Sequence, residues 1–226
     1  MTEFCYILDA SSLEKGIGNI KRWCEPATNA RDVHLSLYIP SFTLQELDFL
    51  RYRRNSATAR ESLRFLDQTD ASDRVDVIIE FTDLLDAIPW SDVLEHQVLD
   101  VPELDARSGN GPASRPLPRR FKNLLKSCVY KCHLEGSNQK SWTLVTEDPT
   151  VCRLAHAFQI PVCSLVEADN CVSKSVDRRS FEQSVRFNKN LKRRTVKEIS
   201  DGKEVYKAKF DDTVYAPRGA GELWAP

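Results

Sequence analysis

The sequence predicts an α/β domain built on a central parallel sheet, followed by a basic C-terminal arm. Apolar runs of strand length alternate along the chain with stretches of helical periodicity. This alternation is typical of a parallel sheet that helices cover on both faces. The 226 residues, 41% of them hydrophobic, suffice for one core of ordinary size and an appendage.

Five strands and at least five helices are predicted in the first three quarters of the chain. The clearest strand is 33–39, where Val33, Leu35, Leu37 and Ile39 alternate with more polar residues. A further helix is predicted within 83–96, although Pro89 leaves its start open. The predicted strands are 4–8, 33–39, 75–81, 142–146 and 162–166, and the helices are 11–23, 43–52, 56–68, 121–134 and 149–158.

Changes of composition divide the chain into a domain at 1–173 and an arm at 174–226. Within the domain, residues 97–118 contain the stretch SGNGPASRPLP, which predicts a flexible loop insertion. The arm has 13 Lys and Arg against 8 Asp and Glu, a net +5, so the rest of the chain carries −6. This segregation indicates that the arm binds a partner.

Aromatic residues stand at intervals in the otherwise polar arm, which is the composition of a segment that orders on contact with a protein. Contact with RNA is the weaker alternative, because aromatic and arginine anchors dominate protein interfaces. The predicted partner-binding residues are Phe181, Phe187, Phe210, Tyr215, Arg218 and Trp224.

Several functional classes fit the sequence poorly. No apolar run approaches the length of a membrane span, and the first one follows Glu3 with no basic region before it, unlike a signal peptide. Seven cysteines without such a signal indicate reduced thiols, so we expect a cytoplasmic protein. Cys128 and Cys132 lack two further zinc ligands nearby, and the glycines at Gly16 and Gly18 do not form a dinucleotide motif.

Three acids are predicted at the carboxyl edge of the sheet: Asp9 and Asp148 end strands, and Glu46 lies in the first turn of the helix that follows the second strand. Ligands of open parallel sheets bind at this edge, and clustered carboxylates suit Mg²⁺ or Mn²⁺, which can activate water against a phosphodiester. The structural alternative is helix capping. Asp9 precedes a Ser11–Glu14 capping box, Thr43 and Glu46 have the same spacing, and Asp148 precedes Pro149.

The segments ILDASSLEKG, IPSFTLQELDFL and LVTEDPTVCRLA, which carry these acids, resemble the PIN domain family of metal-dependent ribonucleases. The resemblance implies a three-layer α/β/α fold around a parallel sheet. The longer segments FTLQELDFLRY, PRRFKNLLKSCVYKCHLEG and TVYAPRGAGELWAP resemble fungal members of the family that act in nonsense-mediated mRNA decay. That resemblance implies binding to the up-frameshift RNA helicase, onto whose core the C-terminal arm reaches.

The chain departs from the family pattern at one acid. PIN nucleases have a further acid at the start of the helix before the last active-site strand, and here that position falls at Lys122 or Asn123. Residues 106–134 contain no Asp or Glu at all. A lysine beside the remaining acids would pair with them and compete with a metal.

We therefore expect a degenerate site in which Asp9, Glu46 and Asp148 are vestigial, no cofactor is required, and at most one Mg²⁺ or Mn²⁺ binds weakly. Two alternatives stay open. One is an active endoribonuclease that cleaves single-stranded RNA with the acids that remain. The other is a plain RNA-binding module, whose affinity would depend steeply on salt.

Overall fold

A parallel sheet of five strands, in the order β3-β2-β1-β4-β5, organises the first part of the molecule. The computed structural model describes residues 2–24, 33–69, 74–99, 101, 117–135, 140–176, 181–182 and 185–186, with the backbone of 195–200 and 203–208. The chain divides into two compact units, Met1–Asp177 and Arg178–Pro226. The strands of the sheet are β1 (Thr2–Leu8), β2 (Val33–Ile39), β3 (Val75–Ile79), β4 (Trp142–Val145) and β5 (Val162–Cys163).

All neighbouring strands pair in parallel, so their carboxyl ends meet at one edge of the sheet. In the centre, Tyr6 of β1 is opposite Leu37 of β2 on one side and Thr143 of β4 on the other. The helices are α1 (Ala10–Cys24), α2 (Ser41–Arg53), α3 (Ala57–Gln68), α4 (Thr82–Ala87), α5 (Trp90–Glu95), α6 (Arg119–Val129), α7 (Pro149–Ala157) and α8 (Leu165–Val176).

Two hydrophobic cores lie on opposite faces of the sheet, because successive side chains of a strand point to opposite sides. Cys5 and Ile7 of β1 join a core with α5, α6 and α7. Tyr6 and Leu8 join the other core, with α1, α2, α3 and α8. The α/β fold with a parallel sheet covered on both faces is therefore confirmed.

α1 and α8 pack closely because α1 has no side chain at Gly16. The backbone there leaves helical geometry (φ −123°, ψ 15°), and a Cβ atom would stand only 2.9 Å from Cγ of Leu165. Real Cβ atoms do not approach other atoms so closely, so the glycine sets the distance between these helices. The two glycines that form no dinucleotide motif thus differ in role, since a Cβ on Gly18 would meet no atom within 4 Å.

The predicted strand at 162–166 is wrong beyond its first two residues, since α8 begins at Leu165. Ser164 and Glu167 form a capping box, in which Glu167 Oε2 accepts from Ser164 N (2.8 Å) and Ser164 Oγ accepts from Glu167 N (3.2 Å). The apolar residues on either side of Ser164, within 162–166, favoured a strand and hid this start signal.

Three other elements differ from the prediction. The helix predicted at 121–134 is α6 followed by a π-helical turn, Tyr130–Leu134. The region 83–96 forms two short helices, and Pro89 precedes the second as its N-cap residue. In the second unit, β6 (Thr195–Ser200) and β7 (Lys203–Ala208) pair antiparallel, a pairing that was not predicted from the sequence.

Most of the predicted loop insertion, at 97–118, lies outside the described residues. Its described ends contact the domain: Val98 N donates to Ala157 O (2.8 Å), and Val101 and Leu117 are buried. Among the helices that the structure describes, none is both long and apolar enough to cross a membrane.

Candidate functional site

Asp9 follows β1 directly and is 4% exposed. Its carboxylate accepts hydrogen bonds from Ser12 N (2.8 Å) and Thr146 Oγ1 (2.6 Å), and Ser11 Oγ lies within 3 Å of both its oxygens. Burial raises the pKa of Asp9, and the bonds from Thr146, Ser12 and Ser11 act in the opposite direction. Asp9 thus caps α1 and, through its hydrogen bond with Thr146, links the end of β1 to the end of β4.

The predicted capping box at Ser11 and Glu14 does not form. Ser11 Oγ is engaged with Asp9 and accepts from Glu147 N (2.9 Å), whereas Glu14 Oε1 accepts from Ser56 Oγ (3.0 Å) of α3. The prediction that Asp9 caps a helix is therefore correct, and the prediction of a capping box between Ser11 and Glu14 is wrong.

Glu46 lies in the second turn of α2 and pairs with Arg120 at the start of α6, Oε1 to Nη1 at 3.7 Å. Burial raises the pKa of Glu46; Arg120 opposes this rise, and the nearby carboxylates of Asp9 and Asp148 add to it. The predicted box with Thr43 is absent, because α2 begins at Ser41 and Thr43 Oγ1 donates to Leu8 O (3.2 Å).

Asp148 caps α7, as its position before Pro149 predicts. Its Oδ1 accepts from Thr150 N (2.8 Å), and its own backbone N–H donates to Thr146 Oγ1 (3.1 Å). Thr146 therefore links Asp9 and Asp148 across the ends of β1 and β4. Sequence reasoning missed Thr146, which has no feature beyond its place at the end of a strand.

The acid cleft, as we call the first of two neighbouring depressions, has a volume of about 550 Å³. Glu46, Asp148 and Glu14 line it together with Arg120 and Arg54. Asp9 is bonded to Ser11 of the wall but does not line the cleft. In the part of the chain that the structure describes, no three His, Cys, Asp or Glu side chains are grouped to hold a metal ion. A metal would depend on Glu46 and Asp148, against the competing charge of Arg120.

The cation cleft, the second depression, has a volume of about 590 Å³ and shares Phe42 and Gln45 with the acid cleft. Its lining has three cations and one acid: Arg119, Lys122 and Lys126 against Asp86. Both candidates for the missing acid, Lys122 and Asn123, line this cleft rather than the acid cleft. The hypothesis that Lys122 pairs with the acids is therefore wrong: its ammonium lies 5.5 Å from the centroid of the Trp90 ring, and Arg120 is the counter-ion.

Glu80 is the main site residue that sequence reasoning missed. It follows β3 at the same edge as Asp9, is 5% exposed, and accepts from Tyr38 Oη (2.6 Å), Ser127 Oγ (3.0 Å), and the N–H (2.8 Å) and Oγ (2.9 Å) of Ser41. It thereby ties β2, α2 and α6 together below the cation cleft. The acid that ends the apolar stretch VII in the run VDVIIEF was the available signal, but the whole run was interpreted as a strand.

Of the predicted partner-binding residues in the arm, only Phe181 is described. It is helical and half-buried. Phe187, Phe210, Tyr215, Arg218 and Trp224 lie outside the described residues, so their role stays a prediction.

Comparison with known proteins gives one consistent result. Residues 6–166 match the PIN domain family. The chain is 48% identical to the nonsense-mediated decay protein 4 of Saccharomyces cerevisiae over 229 residues, covering 100% of both chains. It is 44% identical to the protein of that name from Candida glabrata, again over 100% of both chains, and 37% identical to that of Kluyveromyces lactis, over 98% of this chain and 96% of the other. The chain therefore belongs to the PIN domain family.

Proposed function

We propose that this protein acts in nonsense-mediated mRNA decay as a non-catalytic accessory factor that binds the up-frameshift RNA helicase. Full-length similarity to proteins named nonsense-mediated decay protein 4 supports a role in that pathway. Binding to the helicase is implied by the resemblance described above, and the segregated charge of the arm supports it. A cytoplasmic location is part of this proposal.

The observation that carries the non-catalytic part is the ion pair between Glu46 and Arg120. A metal-dependent nuclease needs a bound metal cation at its active site, and clustered carboxylates provide the ligands for that cation. Here the guanidinium of Arg120 pairs with the carboxylate of Glu46 at the cleft wall and competes with a metal for it. The most buried acid, Asp9, has its oxygens occupied by serine, threonine and backbone donors. The acids therefore support the fold and leave little for a metal.

A two-part contact with the helicase follows from the organisation of the chain. The PIN domain would supply one surface and the arm, residues 174–226, a second. Linked contacts raise the overall affinity above that of either part. The protein can change the ATPase rate or RNA affinity of the helicase only if it binds one helicase conformation better than another.

Capture of the helicase core by the full chain and by a chain ending at Asp177 tests the partner. This truncation removes the second compact unit and keeps α8 (Leu165–Val176) intact. With ribonuclease present, we expect strong capture by the full chain and at least tenfold weaker capture by the shorter one. Trp224→Ala in the full chain should reproduce part of this loss, since aromatic anchors dominate interfaces.

Each other outcome has a definite meaning. Equal capture by both chains would assign the contact to the PIN domain alone and remove the arm from the proposal. Capture by neither would contradict helicase binding. Circular dichroism and a thermal melt of the shorter chain show that it remains folded.

The rival function is a metal-dependent endoribonuclease, which the presence of Glu46, Asp148 and Glu14 in one cleft favours. Incubation of single-stranded RNA with the full chain and Mn²⁺ tests it, with Asp148→Asn and Glu46→Gln as matched variants. We expect no cleavage above that of the variants. Cleavage that needs both Mn²⁺ and these carboxylates would establish the enzyme and overturn the non-catalytic proposal.

A further inference from the structure

We propose that the outer edge of β3 is a docking site for an extended, basic segment of a partner protein, which adds to the sheet as a further strand. β3 (Val75–Ile79) is the last strand on one side of the sheet, since the described strands follow the order β3-β2-β1-β4-β5. This edge is separate from both clefts, whose linings include no residue of β3.

Backbone groups along the outer edge of β3 are free to pair with another strand. The even-numbered residues of this segment face β2, as the hydrogen bond from Glu80 N to Ile39 O (3.0 Å) shows. Alternate residues of a strand direct their N–H and C=O groups to opposite sides. Val77 and Ile79 therefore direct theirs outward, where no described residue bonds them. An extended chain is the ligand that pairs with such a row of donors and acceptors.

The side chains along this edge are apolar and accessible. Ile78 and Ile79 are 37% and 44% exposed, and Phe81, which follows the strand, is 84% exposed. Natural edge strands are commonly protected from pairing by lysine, proline, a bulge or short length. Residues 75–81 contain neither lysine nor proline, so β3 lacks two of the usual protections.

The opposite edge of the sheet, formed by β5, is protected in these ways. β5 consists of two residues, Val162–Cys163, and follows Pro161 directly. A strand this short beside a proline offers few backbone groups to an added chain. Of the two edges of the described sheet, the β3 edge is therefore the one that suits strand addition.

The charge beside β3 indicates the chemistry of the partner segment. Asp76 of β3 is partly exposed, and Asp83 and Asp86 of α4 are exposed. Residues 75–106 contain no Lys or Arg at all. Opposite charges on neighbouring strands stabilise their pairing and like charges destabilise it. A basic segment is therefore favoured over a second copy of this chain, which would bring the same acids to the interface.

The pattern of side chains on β3 defines the segment further. His34 Nε2 lies 3.0 Å from Oδ2 of Asp76, which leaves Oδ1 for a cation of the added strand. Beside Ile78 and Ile79, aliphatic or β-branched residues would cover the exposed apolar surface. The expected segment therefore alternates lysine or arginine with residues such as valine.

The probe for this site is a labelled octapeptide of alternating lysine and valine, titrated with the full chain and followed by fluorescence anisotropy. The variant Ile79→Lys is compared with Val166→Lys, which makes a similar change at an exposed position of α8. We expect Ile79→Lys to weaken binding about tenfold and Val166→Lys less than about twofold. Thermal melts of both variants show that they remain folded.

A second peptide separates strand pairing from attraction between charges alone. It has the same sequence with its internal amides N-methylated, so it keeps the side chains and charges but has lost its backbone donors. We expect it to bind at least about tenfold more weakly than the unmodified peptide. In the parent chain, the unmodified peptide should slow amide hydrogen exchange at Val77 and Ile79 by about fivefold or more.

Four results would overturn the proposal: no binding of the peptide by the parent chain, equal binding of the two peptides, equal weakening by the two variants, or unchanged exchange at Val77 and Ile79. Sedimentation velocity of the parent chain without peptide tests the other occupant. A dimer that Ile79→Lys dissociates would overturn the proposal in favour of a second copy, whereas a monomer is the expected result.

Discussion

The two clefts at the carboxyl edge of the sheet share the wall of Phe42 and Gln45 but differ in how their charges are used. In and beneath the acid cleft, the acids hold elements together: Asp9 caps α1, Asp148 caps α7, and Glu46 meets Arg120. In the cation cleft, neither Arg119 nor Lys122 forms an ion pair or a side-chain hydrogen bond with a described residue, and Lys122 lies 5.5 Å from the centroid of the Trp90 ring. The comparison teaches that charged residues at a sheet edge can support the fold or stand apart from it, and that hydrogen-bond partners distinguish the two cases.

The largest effect is expected at Glu80, the buried carboxylate that supports the wall between the clefts. Glu80→Ala leaves Tyr38, Ser41 and Ser127 without their acceptor, so the free energy of unfolding should fall by about 3 kcal/mol. Glu46→Ala, which removes a partly exposed pair, should cost less than about 1 kcal/mol. Urea denaturation of both variants measures these losses, and losses of similar size would contradict the distinction between the buried Glu80 and the partly exposed Glu46.

A smaller effect is expected for Asp9→Asn, whose stability relative to the parent chain should change with pH in one direction. Burial raises the pKa of Asp9 above its ordinary 3.8, so the folded chain binds this proton more tightly than the unfolded chain. Its contribution to stability is therefore greatest at low pH and is lost as pH rises through the folded-state pKa. Relative to the parent, Asp9→Asn should gain stability as pH rises from 4 and level off above that pKa.

The variant Glu167→Gln should show the opposite pH dependence of stability. Hydrogen bonds from Ser164 N and Oγ lower the pKa of Glu167 in the folded chain. Its contribution is present above the unfolded-state pKa and is lost as pH falls through the lowered one. The deficit of Glu167→Gln should therefore shrink toward low pH, in contrast to Asp9→Asn. Melts between pH 3 and 8 give both curves, and curves of the same sign would contradict the assignment of causes.

The smallest effect is expected when Arg120 is replaced by glutamine. Its loss removes the counter-ion of Glu46 and should raise the Mn²⁺ affinity of the acid cleft by about fivefold at most, because such exposed pairs are worth up to about 1 kcal/mol. Lys122→Gln, in the cation cleft, should change it less. Mn²⁺ titration followed by electron paramagnetic resonance measures both, and an equal rise would mean that the two clefts are not electrostatically distinct.

Much of the sheet could be predicted because buried parallel strands leave a strong local pattern. The alternation of Val33 to Ile39 reflects burial, and β2 has those bounds. The start of α8 was missed because a short, mainly apolar segment such as 162–166 fits a strand as well as a buried helix start. The capping pair Ser164 and Glu167 was the only local signal, and it follows β5 without a break.

The charges of the residues at the candidate site could be predicted from the sequence, but the positions of these residues relative to one another could not. The absence of acids in residues 106–134 correctly indicated cations at this edge. Which cation meets the acids depends on the rotation of α6 about its axis, and this follows from Phe121, Leu124 and Leu125 packing into the core. With those residues buried, Arg120 faces the acid cleft and Lys122 faces the cation cleft. The role of Glu80 could not be predicted from the local sequence, since its hydrogen-bond partners come from three separate elements of the fold.

The shared wall has a consequence for any attempt to add a carboxylate to the acid cleft. An acid introduced at position 123, the sequence-matched place for the missing ligand, would line the cation cleft and not join Glu46 and Asp148. Replacing Arg120 with glutamine would remove the opposing charge without adding a carboxylate ligand. A carboxylate that is to join Glu46 and Asp148 must therefore stand on the side of α6 that faces the acid cleft, where Arg120 lies.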